Sequence, residues 1–183
     1  MRPMRIAPSE LEASEEIFRL SEQGKLVQAA SYARQALGKW PKSHDLRFDL
    51  RDVLLEAGDS EGALTVQLEL ISLAPRCYGY YGGLGDIYLR CFNDPQRALE
   101  AYRQAQRLNR QDPLRMHMLF MIGLCWYKLG NRKRARAAWR EAIKNRRSIS
   151  WALSFADKAR AALDATECGG ALDDSAYDDI YAV

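Results

Sequence analysis

The sequence predicts an all-α fold: a right-handed helical solenoid of four helix-turn-helix repeats, closed by a C-terminal capping helix and followed by an acidic tail. Three observations predict it. First, unrelated landmarks share one offset: Gly24 and Gly58, Ala29 and Ala63, and Pro41 and Pro75 are each 34 residues apart. The series continues from Ala63 to Ala98 and on to Ala135, in steps of 35 and 37 residues. Second, apolar residues return at helical spacing, as in Leu119, Ile122, Trp126 and Leu129, then Ala135, Ala138, Trp139 and Ala142. Third, the punctuation agrees. Gly24, Gly58 and Gly130 stand where a left-handed C-cap is wanted. Asp59-Ser60 and Asp94-Pro95 signal helix starts, and Pro41, Pro75 and Pro113 punctuate the ends of repeats.

In order along the chain, the repeats span about residues 9–41, 43–75, 78–112 and 113–147. Their helices are expected at about 9–23 and 25–38, 43–57 and 59–73, 78–91 and 94–108, and 113–129 and 131–146. A ninth helix, at about 149–165, caps the open end, so residues 1–166 form one repeat domain. Residues 167–183, with Gly169-Gly170 and scattered acids, read as a flexible tail. Helix 78–91 carries Gly79, Gly82, Gly83 and Gly85, each weakening it by about 1 kcal/mol against Ala, so its first turn is expected to be irregular. Helix 113–129 is apolar on nearly all sides. Either the capping helix covers its second face, or Met116, Phe120 and Met121 form an adaptable contact surface.

Composition narrows the class. The chain has 183 residues, 48% hydrophobic and 28% charged, with 12 Gly and 6 Pro, which excludes collagen and low-complexity sequence. It is long enough for a substantial core without metal or disulfide staples. Cys77, Cys91, Cys125 and Cys168 form no CxxC pair, and His44 and His117 are the only histidines, which argues against a metal site. The thiols read as reduced and buried, as in a cytoplasmic protein. Residues 1–8 show no apolar leader core, and no run of about 18 apolar residues is present to span a membrane. Charge is segregated. Residues 128–147 hold nine basic residues and one acid, whereas residues 164–183 hold six acids and no base.

The repeats resemble the tetratricopeptide repeat family. Its pattern is a large residue, Leu-Gly, Tyr, a turn Gly, Ala, an aromatic, Ala and a closing Pro. The third repeat matches with Tyr81, Leu84-Gly85, Tyr88, Ala98, Tyr102 and Ala105, and the fourth with Ile122-Gly123, Trp126, Gly130, Ala135, Trp139 and Ala142. The first keeps Gly24, Ala29, Ala36 and Pro41, and the second Leu50, Leu54, Gly58, Ala63 and Pro75. Ile17 and Arg51 depart from the small residue, Ala33 and Gln67 depart from the aromatic, and the third turn has one extra residue at Asn93-Asp94. In such arrays small residues let helices approach and large ones fill the space beside them.

The resemblance implies a concave face, lined by the first helices, that holds a partner peptide or helix. Carried over by repeat phase, that face comprises Ser14, Phe18 and Ser21; Phe48, Asp52 and Leu55; Gly82, Asp86 and Leu89; and His117, Phe120, Leu124 and Tyr127. Apolar anchors with two acids suit an apolar peptide or amphipathic helix. The carboxylate clamp that holds acidic chaperone tails is disfavoured, because Asp52 and Asp86 would repel such a tail.

Enzyme signatures are absent: there is no phosphate loop, no H-E-x-x-H and no G-x-S-x-G, and no cofactor is implied. Gly79 to Gly85 lacks the strand and spacing of a nucleotide loop. No motif places a catalytic partner beside His117. Arg132, Arg136, Arg140 and Lys144 recur at four-residue spacing as one basic stripe, suited to an acidic protein, anionic lipid or nucleic acid. Nucleic acid is disfavoured, since few aromatics interleave the stripe. The acidic tail, with Asp173, Asp174, Tyr177, Asp178, Asp179 and Tyr181, reads as an interaction peptide for its own body, a second copy or a partner. The expected function is a non-catalytic adaptor or assembly scaffold. The alternatives are a secretion-type chaperone and a peripheral subunit of a membrane or nucleic-acid complex docked by the stripe.

Overall fold

The computed structural model of the chain describes residues 9–109, 114–144, 150–167 and 172. Within them the fold is all helical: α1 (Glu10–Glu22), α2 (Leu26–Lys39), α3 (Asp45–Glu56), α4 (Ser60–Leu73), α5 (Tyr78–Arg90), α6 (Pro95–Leu108), α7 (Leu114–Lys128), α8 (Arg132–Lys144) and α9 (Ser150–Glu167). The expected irregular first turn of α5 is not found, and the helix is regular from Tyr78 despite its glycines. Helix α9 also reaches Glu167, into the segment read as tail.

The turns between paired helices obey one rule. Gly24, Gly58 and Gly130 take positive φ of 69°, 77° and 75°, a region that favours glycine. Each is followed by a residue whose N–H reaches back five positions: Lys25 to the Leu20 carbonyl, Asp59 to Leu54 and Asn131 to Trp126, at 2.9, 2.8 and 2.8 Å. In the third turn Asn93 takes the left-handed position at φ 47°, and Asp94 reaches back six positions, to Tyr88 at 2.9 Å. The extra residue is absorbed in the closing bond. Starts are capped by side chains: Ser9 with Glu12 in a reciprocal box, Asp59 on Gly62, Asp94 on Arg97 and Asn131 on Arg134.

The chain divides into two compact units, Met1–Ile87 and Tyr88–Val183. In the first, α1 packs on α2 and α3, α2 on α3, and α3 on α4. In the second, α6 packs on α7, α7 on α8 and α9, and α8 on α9. The phased small residues Ala29, Ala63, Ala98 and Ala135 are all fully buried. So are the residues at the expected aromatic position: Ala33, Gln67, Tyr102 and Trp139. Trp139 donates its indole N–H to the Phe120 carbonyl at 3.1 Å, and its ring lies where a Cβ on Gly123 would stand. The expectation of buried thiols holds for Cys125 only. Cys77 is half-buried and Cys91 exposed, none of the three being in a disulfide, while Cys168 lies outside the described residues.

Candidate functional site

In the first unit, α1 and α3 are joined by side chains one repeat apart. Ser14 donates its hydroxyl hydrogen bond to Asp49, and Ser21 donates to Glu56 at 2.5 Å. Around these pairs the face is open. Phe18 is 67% exposed, Phe48 43% exposed, Asp52 exposed and Leu55 partly so. Gly82 is buried and Asp86 half-buried on α5. The remaining apolar residues of α1 and α3 mostly point inward, with Ala13, Ile17, Leu20, Leu46, Leu50, Val53 and Leu54 buried.

Phe48 is not a loose side chain. The guanidinium of Arg51 lies 3.7 Å from its ring centroid, in cation–π contact. Arg51 is itself nearly buried and held by its neighbours. Its Nε and Nη2 donate to Asp52 Oδ1 at 2.8 and 2.5 Å, and its Nη1 donates to Gln67 Oε1 at 3.0 Å. Gln67 Nε2 donates in turn to the Tyr80 carbonyl at 2.6 Å. The Tyr80 hydroxyl lies 2.7 Å from His44 Nδ1, with the two rings stacked. A Cβ on Gly83 would stand 3.2 Å from Gln67 Oε1 and 3.3 Å from Arg51 Nη1, so this glycine makes room for the polar chain.

The same face is acidic. Burial of Asp49 raises its carboxyl pKa above the ordinary 3.8, opposed by the Ser14 hydrogen bond and reinforced by the charges of Asp52 and Asp45.

The second unit is arranged differently. His117, Phe120 and Leu124 are buried, not open to a partner. Phe155 of α9 covers two of them, with ring centroids 4.7 Å from His117 and 6.3 Å from Phe120. Met116 and Met121 are buried too. A helix apolar all round needs two covered faces, and α9 supplies the second. Leu89 is likewise buried. Tyr127 is half-buried, and its hydroxyl accepts a hydrogen bond from the Leu172 backbone N–H at 3.1 Å.

Along the basic stripe, Arg132, Arg140 and Lys144 are exposed and Arg136 half-buried. Two of the four are engaged by the end of α9. Arg136 donates to the Thr166 carbonyl, and Arg140 pairs with Glu167 at 2.5 Å. Asp173, Asp174, Tyr177, Asp178, Asp179 and Tyr181 lie outside the described residues. Among the described residues no group of three His, Cys, Asp or Glu is placed to hold a metal ion, and no helix is long and apolar enough to cross a membrane.

Residues 20–84 and 92–148 each match a family model for the tetratricopeptide repeat. The chain belongs to the tetratricopeptide repeat family. Its fold is similar to that of MamA 41-end from Desulfovibrio magneticus RS-1, at 19% identity and TM-score 0.63, covering 74% of this chain and 75% of that one. It is also similar to TTC0263, a thermophilic tetratricopeptide repeat protein of Thermus thermophilus, at 21% identity and TM-score 0.60, covering 85% and 83%. No curated protein matches the chain in sequence.

Set against the tetratricopeptide repeat pattern, the site residues that sequence reasoning missed stand at its departures. Arg51 replaces the small residue and Gln67 the aromatic of the same repeat, and the two bond each other. Both departures were visible. The signal that pairs them is that they fall in one repeat, at the two positions whose side chains meet in the intact pattern.

Proposed function

We propose that this tetratricopeptide repeat chain is a non-catalytic protein-binding scaffold, and that the α1–α3 face of its first unit is a docking surface. The reading rests on one observation: two phenylalanines stand exposed beside a cluster of carboxylates. Exposed aromatics that fill a partner's pockets carry much of the binding free energy in protein interfaces. Phe48 is already ordered by Arg51, so less rotamer freedom is lost when a partner covers it. The carboxylates of Asp45 and Asp49, beside the Arg51–Asp52 ion pair, favour a partner with an apolar side chain flanked by Lys or Arg, and repel an acidic tail.

The test is capture of partners from a native extract by the wild type and by Phe18→Glu/Phe48→Glu. Both side chains are exposed, so the variant should keep its helical circular dichroism. A partner held by the wild type and lost by the variant supports the reading. The same partners on both proteins would overturn it.

A further inference from the structure

We propose that the cationic corner formed by Lys128, Arg132 and Lys133 is the docking surface for residues 173–179 of the same chain. This inference stands apart from the α1–α3 face. It starts from how the chain leaves α9. Arg136 and Arg140 hold the last residues of that helix, through the Thr166 carbonyl and the Glu167 carboxylate. Arg132 lies one turn before Arg136 on the same stripe, toward the α7–α8 turn. Leu172 is then fixed by its N–H to the hydroxyl of Tyr127, the residue preceding Lys128. The described atoms therefore set the end of α9 against the stripe, and set Leu172 against the residue that precedes Lys128 in the chain.

The next two residues are Asp173 and Asp174. Consecutive Cα atoms are about 3.8 Å apart, so both acids stay within two links of the Tyr127 anchor. Asp178 and Asp179 follow, separated from them by three uncharged residues. Lys128, Arg132 and Lys133 are exposed, and the first turn of α8 holds no acid. The acids of residues 173–179 match this cationic corner, whereas the α1–α3 face carries acids and would repel them. Anchoring at Leu172 makes the encounter intramolecular, with an effective concentration on the order of millimolar, so the chain's own segment outcompetes a second copy at ordinary concentrations.

The test uses the full chain as an equal mixture of unlabelled and 15N-labelled protein. A water-soluble carbodiimide joins a carboxylate to a contacting lysine amine as an amide. Peptide mapping then shows which acid met which lysine, and whether both came from one chain. The expected result is amides from Asp173, Asp174, Asp178 or Asp179 to Lys128 or Lys133 within single chains. They should be lost at about 1 M salt, where the Debye length is about 3 Å. They should also be lost when the four acids are changed to Asn, with circular dichroism unchanged. Amides of mixed isotope would put the segment on a second copy and overturn the proposal. Acids joined elsewhere, or to no lysine, would overturn it as well.

Discussion

A methyl group on Gly123 would lie 2.2 Å from Trp139 Nε1, inside a buried ring that is already bonded to the Phe120 carbonyl. Gly123→Ala is therefore expected to destabilise the second unit by about 2 kcal/mol through overpacking, despite alanine's better helix propensity. Gly79 faces open space in α5, so Gly79→Ala should stabilise by up to about 1 kcal/mol. Urea denaturation of the two variants checks both signs. Asp49 gives a pH-dependent counterpart. Its folded pKa lies above the ordinary 3.8, so the native state holds the proton more tightly than the unfolded state. Stability from this group is then present below 3.8 and is lost as pH rises through the folded value. Asp49→Asn, which can still accept from Ser14, should be more stable than wild type near neutrality. The difference should vanish below 3.8, as read from denaturation midpoints across pH.

Helix α9 closes α7, and Phe155 is the side chain that reaches His117 and Phe120. Phe155→Ala should lower the stability of the second unit by about 2 kcal/mol, less than a fully buried Phe would, because Phe155 is only half-buried. Increased binding of a hydrophobic dye at retained helicity would show that α7 has been uncovered. The helices themselves were legible in the sequence because their signals are local. A turn glycine, an Asp or Asn cap and a three-four apolar spacing act within a few residues. The C-cap glycines at positions 24, 58 and 130 take the predicted backbone conformation. The cover of α7 was half legible. Its all-round apolarity demands a second neighbour but does not name one, so repeat phase alone sets His117, Phe120 and Leu124 on an open face, where the structure buries them. The polar chain from Arg51 to Tyr80 was illegible for another reason: each member is an ordinary polar residue until the fold brings it against the next.

The whole chain carries a repeat skeleton that serves many ligands, so its fold alone does not fix its partner. The distribution of its charge is more informative. The acids at α1–α3 and the cations at α8 lie in different units, and each attracts the opposite kind of surface. The sequence showed both the cationic block and the acidic tail. Asp45, Asp49 and Asp52 share α3 with Phe48 at helical spacing, so their grouping was legible too, whereas the approach of Ser14 on α1 to Asp49 emerged only when the repeats stacked. The burial of Cys125, two residues beyond Gly123, has a consequence in time. Cys91 is exposed and should be alkylated at once, whereas Cys125 is sealed within the second unit and reacts only when that unit opens. Mass spectrometry of alkylated peptides would record the two rates side by side. In Phe155→Ala the Cys125 rate should rise while the Cys91 rate stays fixed, making one native sulfur a clock for how often α7 is laid bare.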